Sequence, residues 1–235
     1  MILSILGIAA VLFRGFIVTY LGDRHQLYDQ HLEWLAIALH VEPDSQLYKD
    51  AAREIAEFNS PYSNHPVYTI AHLVPAFLFM ALAPLQFSQR VRTRHIRFHR
   101  WSGRLLLVSA APLVFSAFYF GLLKPFGGLI ESGAILVFGS LFVFAATRAF
   151  LAIRSGDVAH HREWMMRMFS VVIGVSTIRI VDMALTAITL ARPKQLFAPS
   201  LWIGWLLTVG IVELWIRYTR HTAKESVGAS IPRIG

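Results

Sequence analysis

Three histidines have the residue type and setting for cofactor chemistry. His99 lies in Phe98-His-Arg-Trp-Ser-Gly-Arg104, and His160 and His161 open His160-His-Arg-Glu-Trp-Met-Met-Arg167. Both stretches border long apolar runs. A neutral imidazole is the usual axial ligand of a b-type haem, and two helices can hold the macrocycle by offering one histidine each. The expectation is therefore a haem b iron between His99 and His161, or His160 in its place. Arg100, Arg104 and Arg162 would pair with the propionates, and Trp101, Trp164, Met165 and Met168 would pack on the ring. Any one of these histidines could equally be an interfacial anchor, because Arg, His and Trp at the end of a membrane span snorkel to the headgroups. The paired occurrence on two spans raises the haem reading.

A second set of polar residues lies inside the apolar runs: Arg14, His72, Arg179 and Asp182. A charge facing lipid at the bilayer centre costs roughly 2.5–3.5 kcal/mol on insertion scales, so these residues should turn inward and find partners. Arg179 and Asp182 are three apart on one helix and can pair locally. In the topology below, all four fall in the outward half of their spans. They are candidates for a binding site for a quinol, another small reductant or a lipid headgroup, or for an ion-pair network fixing helix register. Glu213, near the opposite end of its span, is expected to pair with an arginine of a histidine-bearing stretch.

The elements that must position these residues are membrane spans. Of 235 residues, 55% are hydrophobic and 15% charged, and the mean hydropathy is +0.53. A soluble domain carries about 25% charged residues. The charge deficit comes from apolar runs of about 20 residues, long enough to cross a bilayer. The fold class expected is all-α: an integral membrane bundle of six transmembrane helices with a small extracytoplasmic helical cap. Residues 1–21 are the first span, read as a retained anchor because no small-residue cleavage site follows. Residues 22–66 form the cap, with eight acids against three bases. A helix is expected after Asp44 or Ser45, burying Leu47, Ala51, Ile55 and Phe58 and broken over residues 59–66. His25, His31, His40 and His65 lie in this segment and read as surface histidines. Residues 67–219 form a five-helix core with spans at 67–88, 104–123, 129–151, 165–190 and 200–219. Residues 220–235 form a polar tail. In the second span, His72, Phe79 and Gln86 are seven apart and share a face, and Pro75 denies the Ala71 carbonyl its helical partner.

Orientation follows from the basic residues. The stretch 90–104 holds six arginines and no acid, and the segments 89–104, 152–167 and 217–235 together hold thirteen Lys/Arg against six on the other side. By the positive-inside bias these segments, with both termini, face the cytoplasm. The net charge of +8 is accounted for in this way, and nucleic acid is not expected as a partner. There is no cysteine, which excludes disulfides and thiolate chemistry. Neither a phosphate-binding glycine loop nor a His-Glu-x-x-His zinc motif occurs.

The chain resembles an uncharacterised bacterial family of predicted polytopic membrane proteins, a domain of unknown function. The likeness is carried by His72-x-x-x-Ala76, Leu85-Gln86-Phe87, Phe98-His-Arg-Trp-Ser-Gly-Arg104 and His161-Arg-Glu-Trp-Met-Met-Arg167. It continues through Thr177-Ile-Arg179 and Trp202-Ile-Gly-Trp205 to Glu213 and spans about residues 65–216. Where the family usually carries an Asn before the turn of that last acid, this chain has Leu207-Thr208-Val209. The resemblance implies a bacterial inner-membrane location and brings no activity. A weaker one is to ascorbate-reducible transmembrane b cytochromes, whose ligand helix opens with a similar His-x-Trp-x-Gly. It implies either one haem shared by the third and fifth spans or a haem-free descendant using the same bundle. A second haem would need a histidine on the fourth span, where this chain has Glu131 and no histidine.

The leading functional expectation is a b-haem membrane redox protein fed by a quinol or small reductant. The alternatives are a non-redox transporter or a membrane protein binding lipid or a small anion, and a structural subunit of a larger membrane complex. Besides the lipid bilayer, other membrane subunits are possible partners.

Overall fold

The computed structural model describes residue 42 and residues 45–189 and 191–229. The expected first span, with Arg14, and His25, His31 and His40 lie outside the described residues.

Seven α-helices are described, with no strand among the described residues: α1 Gln46–Asn64, α2 Pro66–Phe87, α3 Gln89–Arg94, α4 Ile96–Phe118, α5 Gly128–Arg154, α6 Val158–Thr189 and α7 Pro193–Ala229. A π-helical turn, Tyr119–Leu123, closes α4. Five helices are long and apolar enough to cross a membrane: α2, α4 with its π turn, α5, α6 and α7 to His221. The first expected span, residues 1–21, falls outside the described residues.

α1 starts where the sequence places it, with Ser45 Oγ accepting the Tyr48 amide at 3.2 Å, an ordinary N-cap. It does not break at residue 59. The helix continues through Pro61 to Asn64, so the proline removes one hydrogen bond without ending the element. The next helix begins at once, with Pro66 at its first turn, where the missing N–H costs nothing.

The two basic stretches also differ from expectation. Residues 89–104 and 152–167 are largely helical: α3 occupies 89–94, α4 starts at Ile96 and α6 at Val158. Arg, Met and Trp are adequate helix formers, so the charge pattern marks the membrane edge rather than the end of the helix. His99 and His161 consequently sit on the first turns of long helices. The last helix likewise runs past 219 to Ala229.

α2 packs on α4, α4 on α5, α5 on α6 and α6 back on α2, closing a four-helix ring. α4 and α6 therefore face each other across it. α7 lies outside, packed along α6 and α5. At mid-depth Phe79 of α2 meets Phe142 of α5 and Phe169 of α6 edge-on, each pair of centroids 5.8 Å apart, and Leu106 of α4 is fully buried.

The α2–α4 seam explains the seven-residue spacing. His72 Nδ1 lies 3.2 Å from Ser116 Oγ, and Gln86 Nε2 donates to Ser102 Oγ at 2.5 Å. Phe79 and Ser109, both buried, occupy the middle step of the same antiparallel register. Each serine returns its hydroxyl proton to the carbonyl four residues back: Phe98, Leu105 and Pro112. Small residues let the helices approach, while the back-bonded hydroxyls leave no polar group unsatisfied.

The α6–α7 seam is closer still. A Cβ on Gly204 would lie 2.7 Å from the Ile178 Cα, and one on Gly174 2.4 Å from Trp205 Cδ1. Trp205 Nε1 donates to the Val171 carbonyl at 2.9 Å. Glycine at these two positions is required by space.

At the end away from the basic stretches, α1 packs against the starts of α2 and α7. Glu54 accepts the Lys194 amide at 2.9 Å and faces Arg192 at 3.4 Å. Phe58 packs edge-on to Phe126 and at a tilt against Phe197.

Candidate functional site

The sequence motifs meet at the basic end of the ring. α2 ends there with Gln86 and Phe87, α4 begins with His99 to Arg104, α5 ends near Ala149, and α6 begins with His161 to Arg167. Gln86 is buried and ties the first two together: its amide donates to Ser102 and, at 3.4 Å, to the His99 carbonyl. Gly103 leaves room beside it, since a Cβ there would stand 3.7 Å from the Gln86 side-chain oxygen. Phe87 packs edge-on to Phe169 of α6, 5.1 Å between centroids.

The motif on α6 sends its residues in several directions. His160 turns outward. Its ring lies 2.6 Å from the Asp157 carboxylate, its side chain is 59% exposed, and its backbone amide is capped by the same carboxylate at 3.0 Å. These hydrogen bonds, the amide first and the imidazole second, hold the Asp157 carboxyl below the usual carboxylate range. His161 turns inward, and its Nδ1 lies 2.9 Å from the Ala149 carbonyl on α5. A carbonyl only accepts, so Nδ1 carries the proton and Nε2 keeps its lone pair. Glu163 pairs with Arg220 of α7. Trp164 packs on Phe144 and lies under the Arg167 guanidinium, 4.6 Å from its ring centroid. Arg167 forms a two-point pair with Glu213 of α7, at 2.9 and 3.2 Å. The expected pairing of Glu213 with an arginine of a histidine-bearing stretch is thus present.

His99 faces His161 from the other side of the ring. The two imidazoles are within electrostatic range of one another, with Arg92 and Arg100 also near His99. His99 Nδ1 is buried with no hydrogen-bond partner. A buried polar nitrogen without a partner is uncommon and asks for a ligand, a water or an ion. Two half-buried imidazoles thus stand on opposed helices, one with a partnerless Nδ1 and one whose Nδ1 is held by a backbone carbonyl, and neutral imidazole is the donor type that a b-type haem would take. Arg100, Arg104 and Arg162 are exposed at the same end. Trp101, 68% exposed, points away from the ring, and Met168 belongs to the buried core.

The residues of the second set are reached by different helices. His72 faces Ser116 of α4, whereas Asp182 accepts from Ser200 of α7 at 3.0 Å. Arg179 lies within electrostatic range of Asp182. Glu131, the residue standing where a second haem would need histidine, closes the first turn of α5 by accepting the Gly127 amide at 2.6 Å.

The model of the predicted membrane protein family DUF2306 matches residues 69–216. The chain belongs to this family. The matched segment runs from the second turn of α2 to the inner part of α7 and includes both arginine-rich motifs. No curated protein and no solved structure matches the chain, so the likeness to b cytochromes rests on the motif alone. The DUF2306 chain is a membrane protein with several apolar helices. Sequence reasoning missed the Gln86–Ser102 bond, although the seven-residue serine spacing was a signal for it. It also missed the role of the Ala149 carbonyl, for which an alanine gives no signal.

Proposed function

We propose that this DUF2306 protein is a membrane electron carrier holding one b-type haem between His99 and His161. The observation that carries the reading is the His99 Nδ1, buried without a hydrogen-bond partner on α4, while His161 on the opposed helix α6 is held through its own Nδ1 by the Ala149 carbonyl. A bound haem would supply reversible one-electron transfer at the iron. The chain's own groups do the positioning. The Ala149 carbonyl fixes the His161 tautomer and makes its Nε2 a better donor. Gln86 and Ser102 hold the first turn of α4, and so the His99 backbone, in place. Arg100, Arg104 and Arg162 would balance the two propionates.

In this reading the protein sits in a bacterial inner membrane as a six-span bundle, with both termini and the basic end in the cytoplasm. α1 belongs to an extracytoplasmic cap. The far end, with His72, Arg14, Arg179 and Asp182, receives the quinol or small reductant.

The test is the reduced-minus-oxidised absorption spectrum of the purified protein after expression with ample haem. A Soret band is expected, lost in His99→Ala and His161→Ala and retained in His160→Ala. Absence of the band in the wild type refutes the proposal. A transporter or anion-binding protein would then be tested by ligand binding to Arg179→Ala and His72→Ala.

A further inference from the structure

A groove of about 470 Å³ lies outside the ring, bounded by the end of α2, α3 and the α6–α7 pair. Its mouth carries two guanidiniums, Arg92 of α3 and Arg162 of α6. Its walls are apolar: Phe87, Phe169, Ile173, Ile211, Val212 and Trp215. At its depth stand Thr177 and Thr208, which satisfy each other through a 2.9 Å hydrogen bond. From Arg162 to Thr177 the helical rise is about 22 Å, more than one leaflet's half of the ~30 Å hydrocarbon core. A long apolar trough with two cations at one end has the polarity of a lipid, head and tail.

We propose that this groove binds an anionic phospholipid of the leaflet on the basic side, its phosphate between Arg92 and Arg162 and an acyl chain along α6 and α7. Three observations select that occupant. The Arg92 Nε is buried without a hydrogen-bond partner, an unmet donor on a side chain that lines the groove. Neither Arg92 nor Arg162 pairs with a carboxylate among the described residues, whereas Arg167, Arg217 and Arg220 beside them do. The threonines at the depth are already paired, so a hydrocarbon tail leaves nothing unsatisfied there. A neutral quinone would fit the walls and leave both charges unanswered, and a haem would find no histidine in the lining. Basic pockets between transmembrane helices are the usual seat of anionic headgroups. The site shares Arg162 with the propionate set proposed above, but no step of it needs haem, so lipid retention by the haem-free chain tests it alone.

The experiment is native mass spectrometry of the full chain released from nanodiscs containing equal phosphatidylglycerol and phosphatidylcholine. One phosphatidylglycerol per chain is expected to survive mild activation, in at least tenfold preference to phosphatidylcholine. Arg92→Gln with Arg162→Gln should abolish the preference, roughly tenfold for each arginine. Ile211→Trp fills the trough from its lipid-exposed side while keeping both charges. It should displace the lipid, and inorganic phosphate at millimolar concentration should not compete. Each variant is checked for unchanged helical circular dichroism and elution volume. Equal retention of the two lipids, an unchanged preference in the double variant or in Ile211→Trp, or a retained neutral quinone each overturns the proposal.

Discussion

Arg167→Gln should destabilise the helix bundle, and the effect should depend on Glu213. The guanidinium meets the Glu213 carboxylate at two points and lies at 4.0 Å from Glu163. Its side chain is 15% exposed, that of Glu213 33%. Hydrogen bonds to charged groups contribute about 1.5–3 kcal/mol, and the partial exposure of Glu213 places the coupling near the lower bound, about 2 kcal/mol. The single substitution costs more, about 3 kcal/mol, because it leaves Glu213 with only the exposed Arg217, at 3.4 Å, in place of a two-point partner. Glu213→Gln should cost about 2 kcal/mol, since Arg167 keeps Glu163 and the Trp164 ring. For a chain of this size 1 kcal/mol moves the melting temperature by about 2–4 °C. Thermal unfolding of the detergent-solubilised protein should thus show losses of about 6–12 °C for Arg167→Gln and 4–8 °C for Glu213→Gln. The double variant should fall short of their sum by about 4–8 °C. Additivity within about 0.5 kcal/mol would mean that the two side chains are neighbours without being coupled.

Gly204→Ala should destabilise by about 1–3 kcal/mol, the cost of overpacking, because its Cβ would press on the Ile178 backbone; unfolding melts with Gly210→Ala as control, at a position with open space around it, check this. Gln86→Leu should cost about 1–3 kcal/mol by removing the amide that holds Ser102 and the His99 carbonyl, with unfolding melts as the check. If haem binds, the same variant should broaden its optical bands. Asp157 supplies a pH dependence. Its carboxyl is held below the ordinary value by the His160 amide and imidazole, so its contribution is fully present above about pH 3.9 and is lost as pH falls through the lower folded value. The protection factor of the His160 amide, its exchange rate taken relative to the intrinsic base-catalysed rate, should fall as pH drops through the titration of Asp157, and Asp157→Asn should remove this pH dependence.

Much of the bundle could be read from residue pattern because its boundaries are made by strong local signals. Pro66 and the Lys124–Gly128 turn set where α2 and α5 start, each within one residue of expectation, whereas α7 starts at Pro193, seven residues before the expected 200. The basic ends of α4 and α6 were misplaced for a physical reason. A run such as Arg90 to Arg104 must leave hydrocarbon, yet nothing in it obliges the backbone to stop being helical. Pro61 misled in the same way, since a proline removes one hydrogen bond and tertiary packing of Phe58 and Tyr62 compensates. The candidate site was legible as a set of residue types and illegible as a geometry. Nothing in the spacing distinguishes His161 from His160, because their difference is made by Ala149 on another helix and by Asp157 at the cap. Arg92 could not be separated from the other five arginines of its stretch, since only the turn from α3 into α4 brings it to the groove.

The way the motifs are consumed argues for where function lies. At the basic end several polar groups are spent on structure: Gln86 on Ser102, Glu163 on Arg220, Arg167 on Glu213, Asp157 on His160. A bundle needing only register and anchoring would be complete with these. Among the groups not so spent are the His99 Nδ1, the His161 Nε2 and the guanidiniums of Arg92 and Arg162, beside the solvent-facing arginines of 90–104. Two of these, the His99 Nδ1 and the Arg92 Nε, are buried atoms without a partner, a state that costs about 1–3 kcal/mol each when nothing fills it. A stable fold carries such a cost where something else binds. The two nitrogens point to different chemistry, a metal-seeking imidazole inside the ring and an anion-seeking guanidinium outside it. If both are filled, an anionic lipid would sit beside Arg92, which is itself among the charges acting on His99. A negative headgroup there would offset that positive field and favour the oxidised, more positively charged iron. The midpoint potential of a haem at His99 and His161 should therefore be lower in phosphatidylglycerol nanodiscs than in phosphatidylcholine ones, and Arg92→Gln should shrink the difference. An identical potential in both lipids would separate the two sites functionally.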